Sequence, residues 1–470
     1  MVVEELRKIL GPDKVLVDEA SRRGKRRDFW VLSQLADVNG IREPLPACVV
    51  RPEELSDVVT VVNVCRAARA PLVPYGLGSG VCGGVLASEH TVVLDMGGMS
   101  RVRELDEYNL VATFDAGVRG SDAESALAAR GLTLGHYPQS IGISSVGGWI
   151  ATRAAGQFST AYGCIEDIVF ALEAVLPNGD VVETRRTPRA SAGPDLRHVL
   201  LGSEGTLGVV TGVALSVRRA PERRLGAAFY LPSMDAGFEI QREILQRGLE
   251  PPVLRQYDTI ESDRMFSKYS RSGDCLLVLV HEGAGAKVEA EAALIEEIAR
   301  RGKGEPAPPE AAEHWLSERN HVPSFEQFFV NGVVLDTIEI AATWDKIGGI
   351  YRAALASLAE VPGMLTASAH SSHAYRSGLN LYFTFAACPP ERSDMKATYL
   401  ECWRRVMRAT VDGGGGIAHH HGIGRIRREW LRSELGDGGV TLLRTMKRAL
   451  DPENFMNPGA LILEEGTHDD

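Results

Sequence analysis

The 470-residue chain has no excess of positive charge, no paired cysteines and no long apolar run. Each lack removes a class of function. The formal net charge is −11, so nucleic acid is not an expected partner, and any anion must be held by a local basic pocket. Seven cysteines, Cys48, Cys65, Cys82, Cys164, Cys275, Cys388 and Cys402, are scattered and form no Cys-x-x-Cys pair. They read as reduced thiols rather than a disulfide frame or a zinc knuckle. No run can span a bilayer, and the opening MVVEELRKIL reads as an amphipathic helix start without a signal peptide's apolar segment. A cytoplasmic protein is expected. What is present, 44% hydrophobic and 24% charged residues, is ordinary globular usage, enough for two or three domains with buried cores.

The pattern along the chain is α+β. Residues 1–40 are charged and read as helical, with RRDFWVLSQ as an arm laid over a domain. A proline-punctuated boundary leads to a strand and then a helix, with Pro52 in its first turn and Leu55, Val58, Val59, Val62 and Cys65 as its apolar stripe. APLVPYG, HTVVLDM and LVATFDAG read as strands, followed by a helix with a Ser121/Glu124 capping box, closed by Gly131. IVFALEAVLPNGDVVET is a hairpin turning at Asn178-Gly179. From about 225, strands GAAFYLP, CLLVLVHEG, VVLDTIEIA and LNLYFTFA alternate with helices at 235–248, 285–302, 344–359 and 394–412. An antiparallel sheet with helices on one face is expected there, with 302–313 a surface loop and DPENFMNPGALI returning to the body.

Three glycine-rich segments stand out: GLGSGVCGG (76–84), SSVGGWIATRAAGQFSTAYG (144–163) and GSEGTLG (202–208). Gly78, Gly80 and Gly83 spell G-x-G-x-x-G after a strand. A Rossmann loop must open a crossover helix, and the VLASEHT that separates Gly84 from the next strand is too short for one. The P-loop lysine is missing too. Singly, each segment reads equally well as a tight turn. Together, with Trp149, Arg153 and Glu204 interleaved, they suggest a large, planar, partly anionic ligand held by main chain.

PYGLGSGVCGG, SSVGGWIATRAAGQFSTAYG, IEDIV and GSEGTLGVVT resemble the FAD-binding domain of the vanillyl-alcohol-oxidase superfamily, the PCMH type. With GHYPQSIG, SAGPDLRH and HHHGIGRIRREWL, roughly the whole chain is similar to the alkylglycerone-phosphate synthases, flavoenzymes of ether-lipid synthesis. The resemblance implies a helical arm (1–40), a PCMH-type FAD-binding domain of two α+β subdomains (41–220) and a substrate, or cap, domain with an antiparallel sheet flanked by helices (221–415). A C-terminal segment, 416–470, would return to the FAD domain. It implies that 76–84, with Gly76, Leu77, Gly78, Ser79 and Gly80, wraps the FAD pyrophosphate, and that Pro74 and Tyr75 also bind the cofactor. Segments 142–148 and 153–156 would lie along the flavin and ribityl chain, and Pro138, Ser140, Ser144, Ser145, Gly147, Gly148, Thr152, Arg153, Ala155, Gly156, Tyr162 and Gly163 would bind the same cofactor. Glu204, Gly205, Gly208 and Val209 would meet the adenosine side. Members that attach FAD covalently offer a histidine in the first loop. This one has none, so non-covalent FAD is expected.

In LNLYFTF, alternation puts Leu381, Phe383 and Phe385 on one face and Tyr382 and Thr384 on the other. A strand tyrosine by itself is packing; the resemblance places Tyr382 where the synthases keep their proton-transferring tyrosine. GGGGIAHHHGIG invites a metal, but successive histidines on extended chain point to alternating sides, so His420 does not readily join His419 and His421. No nearby cysteine or carboxylate completes a tetrahedron, and we read no metal site. A solvated turn is the plainer reading; the resemblance puts His419, His420 and His421 on the substrate cavity, bonding an oxyanion or relaying a proton. It also makes His136 an active-site histidine and Arg255 a cavity-wall arginine. The synthases' phosphate-gripping arginine has no counterpart: no Arg occurs from 320 to 351, Phe325 or Glu326 stands in its place, and Arg319 or His321 are the neighbours that could compensate.

The leading expectation is an FAD enzyme that exchanges an acyl for an alkyl chain on a glycerone-phosphate-type substrate without net redox change, Tyr382 and a histidine moving the proton beside the carbonyl. The alternative is an FAD-linked oxidoreductase of a 2-hydroxy acid or alcohol, Arg255 binding its carboxylate; DPENFMNPG is similar to hydroxy-acid dehydrogenases of the same superfamily. A catalytically dead FAD or lipid carrier is the third. The expected partners are a small-molecule or lipid-like substrate, a second copy in a homodimer, and a membrane surface touched by residues 1–40. The ending THDD, in place of a peroxisomal tripeptide, fits the cytoplasm.

Overall fold

Short apolar runs bounded by proline and glycine are suited to a sheet buried on both faces, and the first such runs form one. In the computed structural model, which describes residues 1–41 and 43–462, Cys48–Val50, Val92–Asp95 and Leu72–Tyr75 lie side by side and parallel. Val15–Leu16, from the N-terminal region, adds an antiparallel edge to them. Helix Leu55–Ala68 packs Val58, Val61, Val62 and Cys65 into the same core, with Leu55 and Val59 at its margin. Pro52 lies ahead of this helix rather than in its first turn. Asp57 accepts the Glu54 N–H (3.3 Å) and fixes Glu54 as the cap.

A second, five-stranded antiparallel sheet runs in the order Val102–Asp106, Val111–Asp115, Val209–Ser216, Val169–Val175, Val181–Glu183. Its last pair is the expected hairpin, with Gly179 at φ 89°. The Ser121/Glu124 capping box does not form. The helix spans Gly120–Ala128 with Arg119 as its cap, and Glu124 instead accepts from Thr133 Oγ1 (3.0 Å) and Leu134 N (2.9 Å) on the returning chain. The tail does return: Phe455 O accepts Leu72 N–H and Leu72 O accepts Asn457 N–H, both at 2.8 Å.

By its internal contacts the chain divides into two units. The first holds Met1–Ala155, Cys164–Arg219 and the segment from His420; the second holds Gly156–Gly163 and Ala220–His419. The second unit is built on an eight-stranded antiparallel sheet, ordered Glu305–Ala307, Arg223–Leu231, Cys275–Gly283, Val253–Tyr257, Met364–Ser371, Gly378–Ala387, Val334–Thr343, with Ala374–Tyr375 beside Gly378–Ala387. Helices Met234–Gln246, Gly285–Arg301, Trp344–Ala359 and Met395–Asp412 match the expected four. The expected loop at 302–313 is ordered instead. Glu305–Ala307 pairs as an edge strand, where Pro306 is tolerated, and helix Glu310–Glu318 buries Ala311, Ala312 and Trp315. Both units are α+β, as expected. No described helix is long and apolar enough to cross a membrane. The ending THDD lies outside the described residues.

Candidate active site

In the first unit the three glycine segments converge. A Cβ on Gly76 would strike Ser145 Oγ, one on Gly205 would sit 3.0 Å from Pro74 Cδ, and one on Gly84 would sit 3.3 Å from Glu204 Oε2. Gly78 and Gly205 have φ of 74° and 75°, a conformation glycine adopts without strain. Ser145 caps the short helix Val146–Thr152 and accepts the Gly148 N–H (3.2 Å), while Thr152 Oγ1 donates to Gly148 O (3.1 Å). Gly147 donates to Ala116 O at 2.7 Å, so that helix is pressed against the strand-end backbone. Among the described residues, the N–H groups of Leu77, Gly78, Ser79, Gly80 and Val81 meet no acceptor in the chain. Successive unpaired peptide donors form a nest for an anion.

The remaining candidates of this unit are placed as follows. Trp149 Nε1 donates to Ser144 Oγ (2.8 Å), and His136 lies edge-on to the Trp149 ring, centroids 4.7 Å apart. His136 is fully buried, neither nitrogen finds a partner among the described residues, and burial drives its pKa down to about 3. Pro138 and Ser140 offer carbonyls to Ile141 N (2.9 Å) and Ile143 N (2.8 Å). Arg153, left-handed at φ 54°, pairs with Glu166 (2.9 Å), and Ala155 is buried. Gly208 leads into strand Val209–Ser216, whose Val209 is buried. The Glu204 carboxylate is taken up by the chain itself, accepting Ile423 N (2.7 Å) and Gly424 N (2.9 Å). Burial raises its pKa despite those bonds and Arg427 and Arg425. Arg425 Nη1 donates to Gly83 O (2.7 Å), and Asn457 Nδ2 to Gly84 O (2.9 Å) and Glu204 O (2.7 Å). The C-terminal segment thus ties the first and third loops together. His420 and His421 stand edge to face, 4.6 Å apart.

In the second unit the sheet register creates the candidate site. Leu381, Phe383 and Phe385 are fully buried on one face, and Tyr382 and Thr384 lie partly exposed on the other. Tyr382 is paired directly with Glu339 on one neighbouring strand and His370 on the other, and His370 in turn with Tyr257. Arg255 shares that face and is 8% exposed. Its Nε donates to Tyr257 Oη (3.0 Å), its guanidinium lies 5.2 Å from the Trp315 ring, and no carboxylate among the described residues pairs with it. Trp315 stacks on Phe158, with Arg319 over the other ring at 5.0 Å. Gly156, Tyr162 and Gly163 belong to this unit, Tyr162 Oη donating to Glu282 (2.6 Å). His419 accepts or donates at Nε2 with Tyr375 Oη (2.6 Å) and stacks on His373, while Glu339 accepts its N–H. His370, Glu261, Tyr257, Glu339 and His373 escaped sequence reasoning. Strand pairing brings His370, Tyr257 and Glu339 together with Tyr382, Glu261 arrives from helix Thr259–Met265 through His370, and His373 stacks on His419; two of the strands carry no alternation strong enough to announce them.

Against this geometry, residues 46–185 match the family described as FAD binding domain, and residues 220–461 match FAD linked oxidases, C-terminal domain. The chain is 34% identical to the uncharacterized FAD-linked oxidoreductase YgcU of Escherichia coli (strain K12), over 98% of both chains. It is 29% identical to the alkyldihydroxyacetonephosphate synthase of Trypanosoma brucei brucei, over 98% of this chain and 80% of that one. A solved alkyldihydroxyacetonephosphate synthase superposes with a TM-score of 0.80 at 23% identity, covering 97% of this chain and 84% of that one, which shows the PCMH-type fold. The cofactor of such a chain is FAD. The first unit fits it: unpaired donors at 77–81 suit a pyrophosphate, and glycines packed without room for a Cβ let main chain approach a flat ring.

Proposed function

Because the chain belongs to the FAD-linked oxidases, we propose that this FAD-dependent enzyme exchanges an acyl for an alkyl chain on a glycerone-phosphate-type substrate, in the manner of the alkylglycerone-phosphate synthases. The observation that carries this reading is Tyr382, a phenol on the polar sheet face set in register between a carboxylate, Glu339, and an imidazole, His370. The likeness to the synthases over nearly the whole chain supports it. The N–H groups of Leu77–Val81 would hold the FAD pyrophosphate, and the main chain of 144–148 would lie along the ring system. Bound FAD supplies a ring that accepts electron density from the substrate carbon. Tyr382 and a histidine move the proton beside the carbonyl. Arg255, buried without an acid partner among the described residues, binds the substrate's anionic group, since a buried cation is stable only when paired. With no histidine in 76–84 to form a bond, FAD is held non-covalently. A lipid-like substrate in the cytoplasm, presented to a homodimer, completes this reading.

That same lone Arg255 favours a second reading. With no arginine from 320 to 351 to grip a phosphate, a carboxylate suits Arg255 equally well, and the enzyme would then oxidise a 2-hydroxy acid or alcohol. Anaerobic mixing with both substrate panels separates them. Lasting flavin bleaching by a hydroxy acid supports oxidation, whereas acyl-for-alkyl exchange without an electron acceptor supports the synthase. Tyr382→Phe should lower exchange by about 10²–10⁴-fold while the yellow absorbance is kept; unaltered exchange removes Tyr382 from the reaction. Flavin that stays with acid-precipitated protein would overturn the non-covalent assignment.

A further inference from the structure

His370 is held on the Tyr382 face as a proton acceptor is held. On strand Met364–Ser371 it is paired with Tyr382 on one side and Tyr257 on the other. Its ring stacks on Tyr382 at 4.9 Å and 6°, and on Tyr257 at 5.2 Å and 23°, so phenol rings flank the imidazole on both faces. Nδ1 lies 2.9 Å from Glu261 Oε2. Glu261 comes from helix Thr259–Met265, and its side chain is 1% exposed. Its other oxygen accepts from Arg264 Nη2 (2.9 Å) and Ser368 Oγ (3.1 Å). Asp258 fixes that helix to the strand, accepting Glu261 N (2.9 Å) on one oxygen and Ala369 N (2.6 Å) on the other.

The protonation states follow. Burial pushes the Glu261 carboxyl up, but His370 and Arg264 outweigh it and hold it at about 2. A carboxylate only accepts, so Nδ1 of His370 must carry the proton and Nε2 is left as the basic nitrogen. Burial also lowers the His370 pKa, with Arg255 and Arg264 acting in the same sense against Glu261. The imidazole therefore stands neutral near neutral pH. The Tyr257 and Tyr382 phenols stack on its two faces, and Thr384 of the neighbouring strand bonds Glu261.

We infer that His370 is a base of this site, acting at Nε2 beside Tyr382, and that Glu261 is its positioning residue. This rests on the enzymatic reading above and assigns a proton acceptor to it. The bond to the substrate's acidic hydrogen breaks, its electron pair stays with the substrate, and an N–H bond forms at Nε2. The resulting imidazolium faces the Glu261 carboxylate, which holds the charge until the proton is returned. The arrangement serves a carbon acid beside a carbonyl and a hydroxyl equally.

The test uses the full-length holoenzyme, its Glu261→Gln and His370→Gln variants, and two independent readouts. Nitrogen NMR of the His370 ring, without substrate, should show the Nδ1–H tautomer in the parent. In Glu261→Gln it should show a mixed tautomer and a pKa lower by about one unit, because an anion no longer favours the cation. Turnover in the assay above should fall with the acid limb of the parent profile. That limb should move to lower pH in Glu261→Gln and vanish in His370→Gln, whose rate drops about 10²–10⁴-fold at unchanged FAD content. An Nε2–H tautomer in the parent, or a His370→Gln enzyme with parental rate and acid limb, overturns the inference. If neither substrate panel turns over, the enzymatic reading has failed, and the tautomer and its dependence on Glu261 still decide whether the pair is held as described.

Discussion

In the first unit, the polar groups offered at the candidate site are peptide N–H groups, Leu77 through Val81, on a backbone interrupted by Gly78 and Gly80. In the second they are side chains on successive strands of one sheet: Glu339, Tyr382, His370 and Tyr257. Peptide donors do not titrate and need no rotamer to be fixed, so they suit a ligand that must be held in one pose. Carboxylates, phenols and imidazoles change charge, so they suit a substrate that must gain or lose a proton. The contrast extends to the histidines. His136 in the first unit is pinned neutral by burial, with a pKa of about 3, whereas His370 in the second faces a permanent carboxylate. The unit rich in glycine offers donors of fixed charge, whereas the unit rich in strand pairs offers groups that titrate.

The largest expected effect tests the binding half through a side chain rather than a glycine. Glu204→Ala removes the acceptor of Ile423 N and Gly424 N, leaving donors in a largely buried segment with no partner. Each orphaned donor costs about 1–3 kcal/mol, so a loss of roughly 3 kcal/mol is expected, with FAD affinity falling as the clasp over Gly83 and Gly84 loosens. Glu204→Gln, which keeps one acceptor, should lose about half as much. Thermal melts and FAD titration read both, and faster hydrogen exchange at Gly424 should accompany them. A Glu204→Ala protein with parental stability would show that the C-terminal segment is held by other means.

A smaller effect separates the units by the same substitution. A Cβ on Gly147 would lie 2.6 Å from Ala116 Cβ and 2.9 Å from Ala116 O, neither of which can step aside. Gly147→Ala should cost about 1–3 kcal/mol and weaken FAD binding as helix Val146–Thr152 is pushed off. In the second unit, Gly349 sits in helix Trp344–Ala359 with nothing within 4 Å of its Cβ position. Gly349→Ala should raise stability by about 0.5–1 kcal/mol and leave FAD binding unchanged. Equal behaviour of the two would break the distinction.

The same contrast explains what could be read in advance. The glycine loops are contiguous, so their spacing alone excludes a crossover helix after Gly84, and the chain indeed has none before Val92. The face of Tyr382 was legible because alternation within one strand sorts its neighbours, but only the resemblance marked it as more than packing. His370, Tyr257 and Glu339 were not, because each belongs to a different strand and only the ladder register joins them. Two of those strands, Val253–Tyr257 and Met364–Ser371, were also missed as elements; ASAHSS lacks the apolar alternation that marks a half-buried strand. The strand at Glu305–Ala307 was hidden by its prolines, which an edge tolerates. The Ser121/Glu124 pattern misled because Glu124 found acceptor work at Thr133 and Leu134, a choice only tertiary structure makes.

The smallest effect concerns Asp28, a titrating group that lies against the glycine loop. Asp28 is 3% exposed, accepts Trp30 N (3.1 Å) and Val85 N (3.3 Å), and its Oδ2 would be 3.1 Å from a Cβ on Gly80. Burial raises its pKa from 3.8 to about 7, although those N–H groups and Arg425 oppose it. The folded chain therefore holds this proton more tightly than the unfolded one. The contribution is fully present below the unfolded value and is lost as pH rises through about 7. Asp28→Asn removes the titration but also misplaces one donor against Val85 N, a cost that does not vary with pH. Only the slope is diagnostic. The melting temperature of Asp28→Asn relative to the parent should rise by roughly 1–2 °C between pH 5 and pH 8. A difference that stays flat, or falls, would mean that Asp28 is already ionised at pH 5, and that the binding half carries no charge switch beside its peptide nest.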